Sequence, residues 1–176
     1  GVNESHFTMV HVGRLAAEKN LALLMRAYAA LRNVDSRVRL VMVGDGPERA
    51  SLEQRYPEVI FAGVRHGEDL AAHYASADLF VFPSLTETFG NVTLEAMASG
   101  LPVVAFDYAA AAQYVTAGSG HLATLDSEDD FIRGCERMLA HYWADRTAYE
   151  AMRSESRQRA LRESWPVVVE QFESML

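Results

Sequence analysis

The chain is predicted to fold as an α/β domain, a Rossmann-like, doubly wound parallel sheet of about six strands flanked by helices. Two observations predict this class. Short apolar runs rich in valine and phenylalanine recur along the 176 residues, and segments of helical periodicity separate them. Strands that are apolar on both faces and alternate with crossover helices are typical of a parallel sheet covered on both sides. Because no internal repeat or low-complexity linker interrupts the alternation, residues 1–176 are predicted to form one domain.

Each short apolar run is bounded by turn residues and is predicted to be a strand. The predicted strands are Phe7 to Val12, Arg39 to Val43, Val59 to Phe61, Leu79 to Phe82, Val103 to Phe106 and His121 to Ala123. Between and after them, apolar residues recur at helical spacing. The predicted helices are Leu21 to Arg32, Glu48 to Arg55, Glu68 to Ser76, Val92 to Ala98, Tyr108 to Val115, Phe131 to Trp143 and Ala148 to Arg162.

Residues 148–176 are predicted to be a C-terminal helical segment of the same domain. The strongly charged helix is followed by Trp165 and then by an apolar-faced helix over Val167 to Met175. An acidic run precedes the helix that contains Phe131. Ser127 with Asp130 three residues later is a helix-start pattern, which is favoured there over a metal-binding loop.

Composition excludes several classes of function. A formal net charge of -8 with no basic stripe argues against a nucleic-acid partner, because nothing would displace counterions from a phosphate backbone. The single cysteine, Cys135, lies in a helical pattern and is predicted to be a buried small residue rather than a nucleophile. A chain without a possible internal disulfide or a run of ~18 apolar residues is predicted to be soluble and cytoplasmic.

The loop after the first predicted strand contains two cations, Arg14 and Lys19, behind Gly13. In a parallel sheet this loop lies at the edge where ligands bind. Two interpretations are open. The cations clamp a diphosphate, the arginine as a planar fork and the lysine as a point charge, or the loop is solvated and pairs with Glu18.

Two glutamates, Glu87 and Glu95, lie on either side of a predicted helix start after the fourth strand. The unpaired N–H groups of a helix N-terminus suit a phosphate or diphosphate, and the flanking acids would then bind hydroxyl groups on either side of it. The competing interpretation is the separated acid and base of an inverting glycosidase. It is disfavoured because a helix N-terminus between the carboxylates has no role in that reaction.

Two glycine-containing loops follow the second and third strands. Gly44 and Gly46 precede Pro47 without the three-glycine spacing of a dinucleotide fingerprint, which predicts a tight turn lining a pocket. Gly63 and Val64 fit either the edge of a nucleobase or a plain turn. His66 is predicted to be a surface histidine. The sequence contains no zinc-protease, nucleophile-elbow or P-loop motif.

Taken in order, four motifs resemble the C-terminal donor-binding domain of group 1, family 4 retaining glycosyltransferases of the GT-B fold. They cover nearly the whole chain and are more specific together than singly. The motifs are Gly13-Arg14 through Lys19-Asn20, Val43-Gly44-Asp45-Gly46-Pro47, Ala77-Asp78-Leu79-Phe80-Val81-Phe82-Pro83-Ser84, and Glu87-Thr88-Phe89-Gly90-Asn91 through Glu95-Ala96-Met97-Ala98-Ser99-Gly100-Leu101-Pro102-Val103-Val104.

The resemblance implies transfer of a sugar from a nucleotide diphosphate sugar, with retention of anomeric configuration and without a cofactor or an obligatory metal. It implies that Arg14 and Lys19 hold the diphosphate and stabilise the leaving group, and that Glu87 binds hydroxyls of the donor sugar; these three form the catalytic set. It implies that Glu95 binds the ribose. The remaining donor-binding residues that it implies are Gly13, Gly44, Val64, Thr88, Phe89, Gly90 and Asn91.

The resemblance also implies partners that this chain does not supply. A GT-B enzyme has an N-terminal domain of similar size for the acceptor. We therefore expect this chain to be a piece of a longer polypeptide and to be inactive by itself. Peripheral membrane association through that absent domain is a further expectation.

One segment departs from the pattern of many relatives, which have a glycine-rich stretch ending in Pro-Glu where this chain has Asp107-Tyr108-Ala109-Ala110-Ala111-Ala112-Gln113. The donor is therefore left open between GDP-mannose, UDP-glucose and related sugars. The sequence also fits a nucleotide-sugar epimerase or phosphorylase of the same architecture, or a non-catalytic nucleotide-binding module.

Overall fold

The computed structural model describes residues 6–86 and 91–162. Over these residues, strands and helices alternate as the sequence predicts. The strands are β1 (Phe7–Val12), β2 (Val38–Val43), β3 (Ile60–Gly63), β4 (Leu79–Phe82), β5 (Val103–Phe106) and β6 (Gly120–Ala123). The helices are α1 (Leu21–Val34), α2 (Arg49–Arg55), α3 (Gly67–Ala75), α4 (Asn91–Ala98), α5 (Ala109–Tyr114), α6 (Glu128–Ala144) and α7 (Arg146–Arg162).

The strands form one parallel sheet in the order β3-β2-β1-β4-β5-β6, which confirms the doubly wound fold. The chain proceeds outward from β1 to β3, returns past β1 and continues outward from β4 to β6. Between β1 and β4 the direction reverses, which creates a topological switch point. The ladder there is short and pairs Met9 with Leu79 and Val10 with Phe80.

Helices cover both faces of the sheet and build two hydrophobic layers. Phe7 and Met9 of β1 belong to the layer that includes residues of α1 and α6, whereas Val10 and Val12 belong to the layer that includes residues of α3 and α4. All residues of β1, β4 and β5 are buried. Burial on both faces is the physical reason that these strands are continuous apolar runs rather than alternating patterns.

Both predicted ends of β1, β4 and β5 are confirmed, and each of the other elements has at least one end that shifts by one to three residues. The prediction for β3 was wrong at both ends, because this edge strand pairs with β2 alone and is only partly buried. Helix α6 begins at Glu128 rather than Phe131. The helix-start pattern predicted at Ser127 is nevertheless confirmed, because the Ser127 hydroxyl accepts a hydrogen bond from the Asp130 N–H at 3.4 Å.

Cys135 is buried in α6, as predicted, and burial raises the pKa of its thiol. Within the described ranges, no helix is both long enough and apolar enough to cross a lipid bilayer. The predicted C-terminal segment is described as far as the end of α7. Trp165 and the helix expected at Val167–Met175 lie outside the described residues.

Candidate functional site

The loops after β1 and β2 meet backbone to backbone at the carboxyl edge of the sheet. The Gly13 N–H donates to the Val43 carbonyl at 3.0 Å, and the Leu15 N–H donates to the Asp45 carbonyl at 2.8 Å. Gly44 has a φ of 139°, and a Cβ at this position would overlap the Gly13 carbonyl oxygen. Glycine is therefore required at position 44 both for the backbone conformation and for the close approach.

This contact leaves an open hollow of about 260 Å³ at the sheet edge. Its lining comes from the ends of β1, β2 and β3, so the prediction that the Gly44 turn lines a pocket is confirmed. The lining residues are Val12, Gly13, Arg14, Val43, Gly44, Asp45, Val64 and Arg65. Val64 is 55% exposed, which leaves its apolar surface available to a planar ligand. His66 is exposed, as predicted.

Arg14 projects from this hollow into solvent. Its side chain is 68% exposed, and its Nη1 lies 3.6 Å from Glu18 Oε1. The surface pairing of Arg14 with Glu18, which the sequence left open, is therefore present in the structure. An exposed pair of this kind contributes little stability, so an anion arriving at the hollow competes with Glu18 at small cost.

Lys19 connects the β1 loop to the β4 loop. A 3-10 turn over Ala17–Lys19, which the sequence analysis did not predict, directs the lysine toward the neighbouring strand. Lys19 Nζ donates to the Thr86 carbonyl at 3.1 Å and lies 5.4 Å from the centre of the Phe82 ring. The Thr86 hydroxyl returns a hydrogen bond to the Glu18 carbonyl at 3.2 Å. The two loops on either side of the switch point are thus tied together.

Glu95 lies on the exposed side of α4, one turn from its start at Asn91. Its Oε2 accepts a hydrogen bond of 3.1 Å from the hydroxyl of Tyr74, which belongs to α3. The structure places Arg14, Lys19, Asn91 and Glu95 on loops or helix starts that follow β1 and β4. The other residues predicted for this site, Glu87, Thr88, Phe89 and Gly90, lie outside the described residues.

His11 is a buried polar residue at the switch point that the sequence analysis missed. Its ring stacks on Phe82 at 5.8 Å between centres, and Nδ1 lies 3.1 Å from the Val81 carbonyl oxygen. Burial lowers the pKa of His11 to about 4, the hydrogen bond to Val81 opposes that shift, and the charge of Lys19 adds to it. The imidazole is therefore neutral at pH 7, and Nδ1 donates to the carbonyl.

The remaining nitrogen, His11 Nε2, is buried and has no hydrogen-bond partner among the described residues. The Cβ position of Gly13 lies 3.5 Å from it. The one sequence signal for this residue was a histidine inside an apolar strand. Its contacts with Val81 and Phe82 of β4 could not be predicted, because they depend on the order of the strands in the sheet. Tyr74 was missed for a similar reason, because its contact with Glu95 spans 21 positions of the chain.

The segment after β5 turns sharply before α5. Ala109 adopts a left-handed conformation with a φ of 48°, and the neighbouring Tyr108 is exposed. Tyr108 and Ser84 line a small cleft beside the ends of β4 and β5. Across residues 6–86 and 91–162, no three histidine, cysteine or acidic side chains gather in a geometry that would hold a metal ion.

Comparisons with known proteins identify the family to which the chain belongs. The family model for "Glycosyl transferases group 1" matches residues 6–141. The chain is 39% identical over 161 residues to a GDP-mannose-dependent alpha-mannosyltransferase of Mycobacterium tuberculosis, covering 92% of this chain and 40% of that protein. It is 34% identical over 111 residues to the alpha-monoglucosyldiacylglycerol synthase of Streptococcus pneumoniae, covering 60% of this chain and 25% of that protein.

Solved structures share the fold. Anabaena HepE in complex with UDP and glucose is 26% identical, with a TM-score of 0.77 over 97% of this chain and 48% of that one. The pneumococcal O-GlcNAc transferase GtfA, in complex with UDP and GlcNAc, has a TM-score of 0.82 at 21% identity, over 97% of this chain and 35% of that one. These matches confirm that the domain corresponds to one half of the GT-B fold.

The chain thus spans less than half the length of these relatives. Within that span, the family match extends over β1 to α6 and includes the loops that meet at the switch point. This chain belongs to the group 1 glycosyl transferases.

Proposed function

We propose that this chain is the donor-binding domain of a retaining glycosyltransferase, which transfers a hexose from a nucleoside diphosphate sugar to an acceptor. One observation carries the proposal. Two cations that follow β1, Arg14 and Lys19, lie at the same sheet edge as Glu95 of α4. Cations suit the charged centre of a nucleoside diphosphate sugar, and a carboxylate suits its hydroxyl-bearing ends.

The proposed chemistry depends on electrostatic stabilisation. When the bond between the sugar and the diphosphate breaks, negative charge develops on the leaving diphosphate. Arg14 and Lys19 stabilise that charge, together with the backbone N–H groups at the start of α4, and such preorganised donors lower the barrier most where charge develops. No metal is required in this proposal, and Cys135 is too deeply buried to serve as a nucleophile.

We assign the remaining roles by position in the motifs. Glu95 binds the ribose, Glu87 binds hydroxyls of the donor sugar, and Val64 packs beside the base. Gly13 and Gly44 allow the backbone to approach the ligand. Thr88, Phe89, Gly90 and Asn91 contact sugar and phosphate.

GDP-mannose is the first donor that we propose. Relatives 39% and 38% identical, from Mycobacterium tuberculosis and Mycolicibacterium smegmatis, are GDP-mannose-dependent alpha-mannosyltransferases. UDP-glucose is the second, since HepE, the solved relative that is 26% identical, contains UDP and glucose.

The acceptor belongs to a second domain in this proposal. The relatives continue well beyond the matched part, and GT-B enzymes bind the acceptor on the other half of the fold. We therefore propose that this chain alone binds donor nucleotide but transfers little or no sugar. Cytoplasmic location and peripheral membrane association stay predictions.

Nucleotide binding to this chain is the test. We expect GDP, UDP or ADP, alone or as sugar conjugates, to raise the melting temperature selectively, because a ligand of the folded state stabilises it by mass action. The variants Lys19→Ala and Glu95→Ala should each weaken binding about tenfold, as expected for the loss of a hydrogen bond to a charged group. Isothermal calorimetry measures both losses.

Two matched controls separate local from general charge effects. Arg133→Ala and Glu136→Ala remove exposed charges from α6 and should leave affinity unchanged. Because Lys19 also contacts Thr86, the melting temperature of each variant without ligand is measured first. A chain that binds none of the nucleotides, or variants with wild-type affinity at both positions, would overturn the proposal.

A further inference from the structure

Tyr74 is a buried residue whose polar atom touches a residue of the proposed site. Its side chain is 2% exposed, and its hydroxyl donates to Glu95 Oε2 at 3.1 Å. The hydroxyl also lies 3.5 Å from the Val92 carbonyl, one turn earlier in α4. The bond therefore crosses from α3 to the exposed side of α4, where the Glu95 carboxylate faces solvent.

The Tyr74 ring belongs to a continuous row of buried rings, which we call the ring row: Tyr74, Phe80, Phe82 and His11. Ring centres are 6.0 Å apart for Tyr74 and Phe80, 5.7 Å for Phe80 and Phe82, and 5.8 Å for Phe82 and His11. Lys19 Nζ lies 5.4 Å from the centre of the Phe82 ring. The ring row thus runs from the carboxylate of Glu95 to the ammonium group of Lys19.

We propose that Tyr74 is a positioning residue, whose hydroxyl holds the Glu95 carboxylate in the orientation that binds the ribose hydroxyls of a nucleoside diphosphate. The ring row supports Tyr74 from below and sets its distance from Lys19. This inference rests on the proposed function. It adds a residue that makes no contact with the ligand and acts through Glu95.

The hydrogen-bond inventory of Glu95 supports the assignment. An ionised carboxylate has about four acceptor positions, and the Tyr74 hydroxyl occupies one of them on Oε2. The others are left for donors, and the adjacent hydroxyls of a ribose supply two. Burial, followed by the charge of Glu95, raises the pKa of Tyr74, so the hydroxyl keeps the proton that it donates.

Conformational entropy explains why such a bond matters. A solvent-exposed glutamate loses rotamer freedom when a ligand fixes it, and that loss weakens binding. A carboxylate already held by a buried hydroxyl has lost part of that freedom before the ligand arrives. The ring of Tyr74 cannot easily yield, because Phe80 packs against it inside the hydrophobic layer.

The test compares ribose with deoxyribose in the Tyr74→Phe variant of this chain. Isothermal calorimetry with GDP and 2′-deoxy-GDP, and with UDP and 2′-deoxy-UDP, measures how much the 2′-hydroxyl contributes to binding. We expect Tyr74→Phe to weaken binding of the ribonucleotide about fivefold to tenfold, because the ligand must then order the Glu95 side chain by itself. Affinity for the deoxynucleotide should change less than about twofold, because it lacks one of the hydroxyls that Glu95 is positioned to bind.

Tyr28→Phe is the matched control, because Tyr28 is an equally buried tyrosine whose hydroxyl accepts from Arg32 at 2.8 Å on the other face of the sheet. It should lower stability without changing the preference for ribose. Equal weakening of ribo- and deoxynucleotide by Tyr74→Phe would indicate a purely structural role and overturn the inference. So would unchanged affinity for both. If the wild-type chain binds no nucleotide, the proposed function fails instead.

Discussion

His11 couples the stability of the molecule to pH through a single ring. In the folded chain the imidazole is buried against Phe82, and burial lowers its pKa to about 4 from an ordinary value of 6.5. The unfolded chain therefore binds a proton more readily between these two values. Stability that is fully present above pH 6.5 is lost progressively as the pH falls toward 4.

Replacing this ring should flatten that dependence. The group contributes roughly 3 kcal/mol of pH-dependent stability, since one unit of pKa shift corresponds to about 1.4 kcal/mol. We expect His11→Phe, which keeps an aromatic ring beside Phe82, to lose less stability than the wild type between about pH 7.5 and pH 5. Denaturant unfolding at the two pH values measures this. The exposed His66, replaced by Gln, should keep the wild-type dependence, and a His11→Phe slope equal to that of the wild type would contradict the assignment.

At the scale of elements, the loops after β1 and β2 depend on glycine more than on side-chain contacts. Gly44 has a φ of 139°, and its α-carbon approaches the Gly13 carbonyl too closely for any side chain. Gly46 is equally confined, because a Cβ there would overlap the Leu15 carbonyl. The main chains of the two loops therefore lie too close together at these positions for an added methyl group.

We expect Gly44→Ala to destabilise the chain by at least about 2 kcal/mol, because the backbone must move and the alanine is strained at this φ. Gly67 provides a matched control. It has a φ of 54° but open space around its Cβ position, so Gly67→Ala should lose only about 1 kcal/mol through backbone strain. Thermal unfolding measures both losses. Equal losses in the two variants would show that steric overlap at Gly44 is relieved without consequence.

The sequence predicted the elements better than their ends. Fully buried strands such as β4 are easy to recognise, because four apolar residues follow one another without a polar residue between them. The edge strand β3 was shifted, since its half-exposed residues lack that contrast with the flanking chain. The 3-10 turn at Ala17–Lys19 contains no buried residue and so left no apolar pattern to detect.

The sequence predicted only some of the residues that meet at this edge of the sheet. Arg14, Lys19 and Glu95 stood out as charged residues that follow buried strands along the chain, and the structure places them at one edge of the sheet. Their roles in binding stay predictions. The residues that contact Lys19 and Glu95 were not predicted. Thr86 lies 67 positions from Lys19 and Tyr74 lies 21 positions from Glu95, so only tertiary folding brings each pair together. A pattern of neighbouring residues contains no information about such pairs until the strand order is known.

At the scale of the whole molecule, the proposed ligand site and the contacts that support the sheet lie at opposite ends of the strands. The carboxyl end holds the hollow and the proposed ligand site. At the amino end, α7 supports β4 and β5 through hydrogen bonds to main-chain carbonyls: the Tyr149 hydroxyl donates to Asp78 at 2.9 Å, and the Ser156 hydroxyl donates to Leu101 at 2.6 Å. Stability and binding should therefore be separable by mutation.

Tyr149→Phe tests this separation. It removes a buried hydrogen bond, which should lower stability by about 1–2 kcal/mol. In a chain of this length each kcal/mol corresponds to about 2–4 °C in melting temperature. The increment added by a saturating nucleotide should equal that of the wild type, as differential scanning fluorimetry can show. A reduced increment would mean that the amino end of the sheet influences the site.

The hydrogen bond between Lys19 and Thr86 joins positions 67 residues apart, across the one short ladder that unites β1 with β4. Closing a loop of that length costs the chain roughly 4 kcal/mol of configurational entropy. In the complex that we propose, a diphosphate would be held from the β1 side by Lys19 and from the β4 side by α4, and it would bridge the same two segments. The proposed ligand would then act as a reversible cross-link, in the way that a disulfide does in a secreted protein.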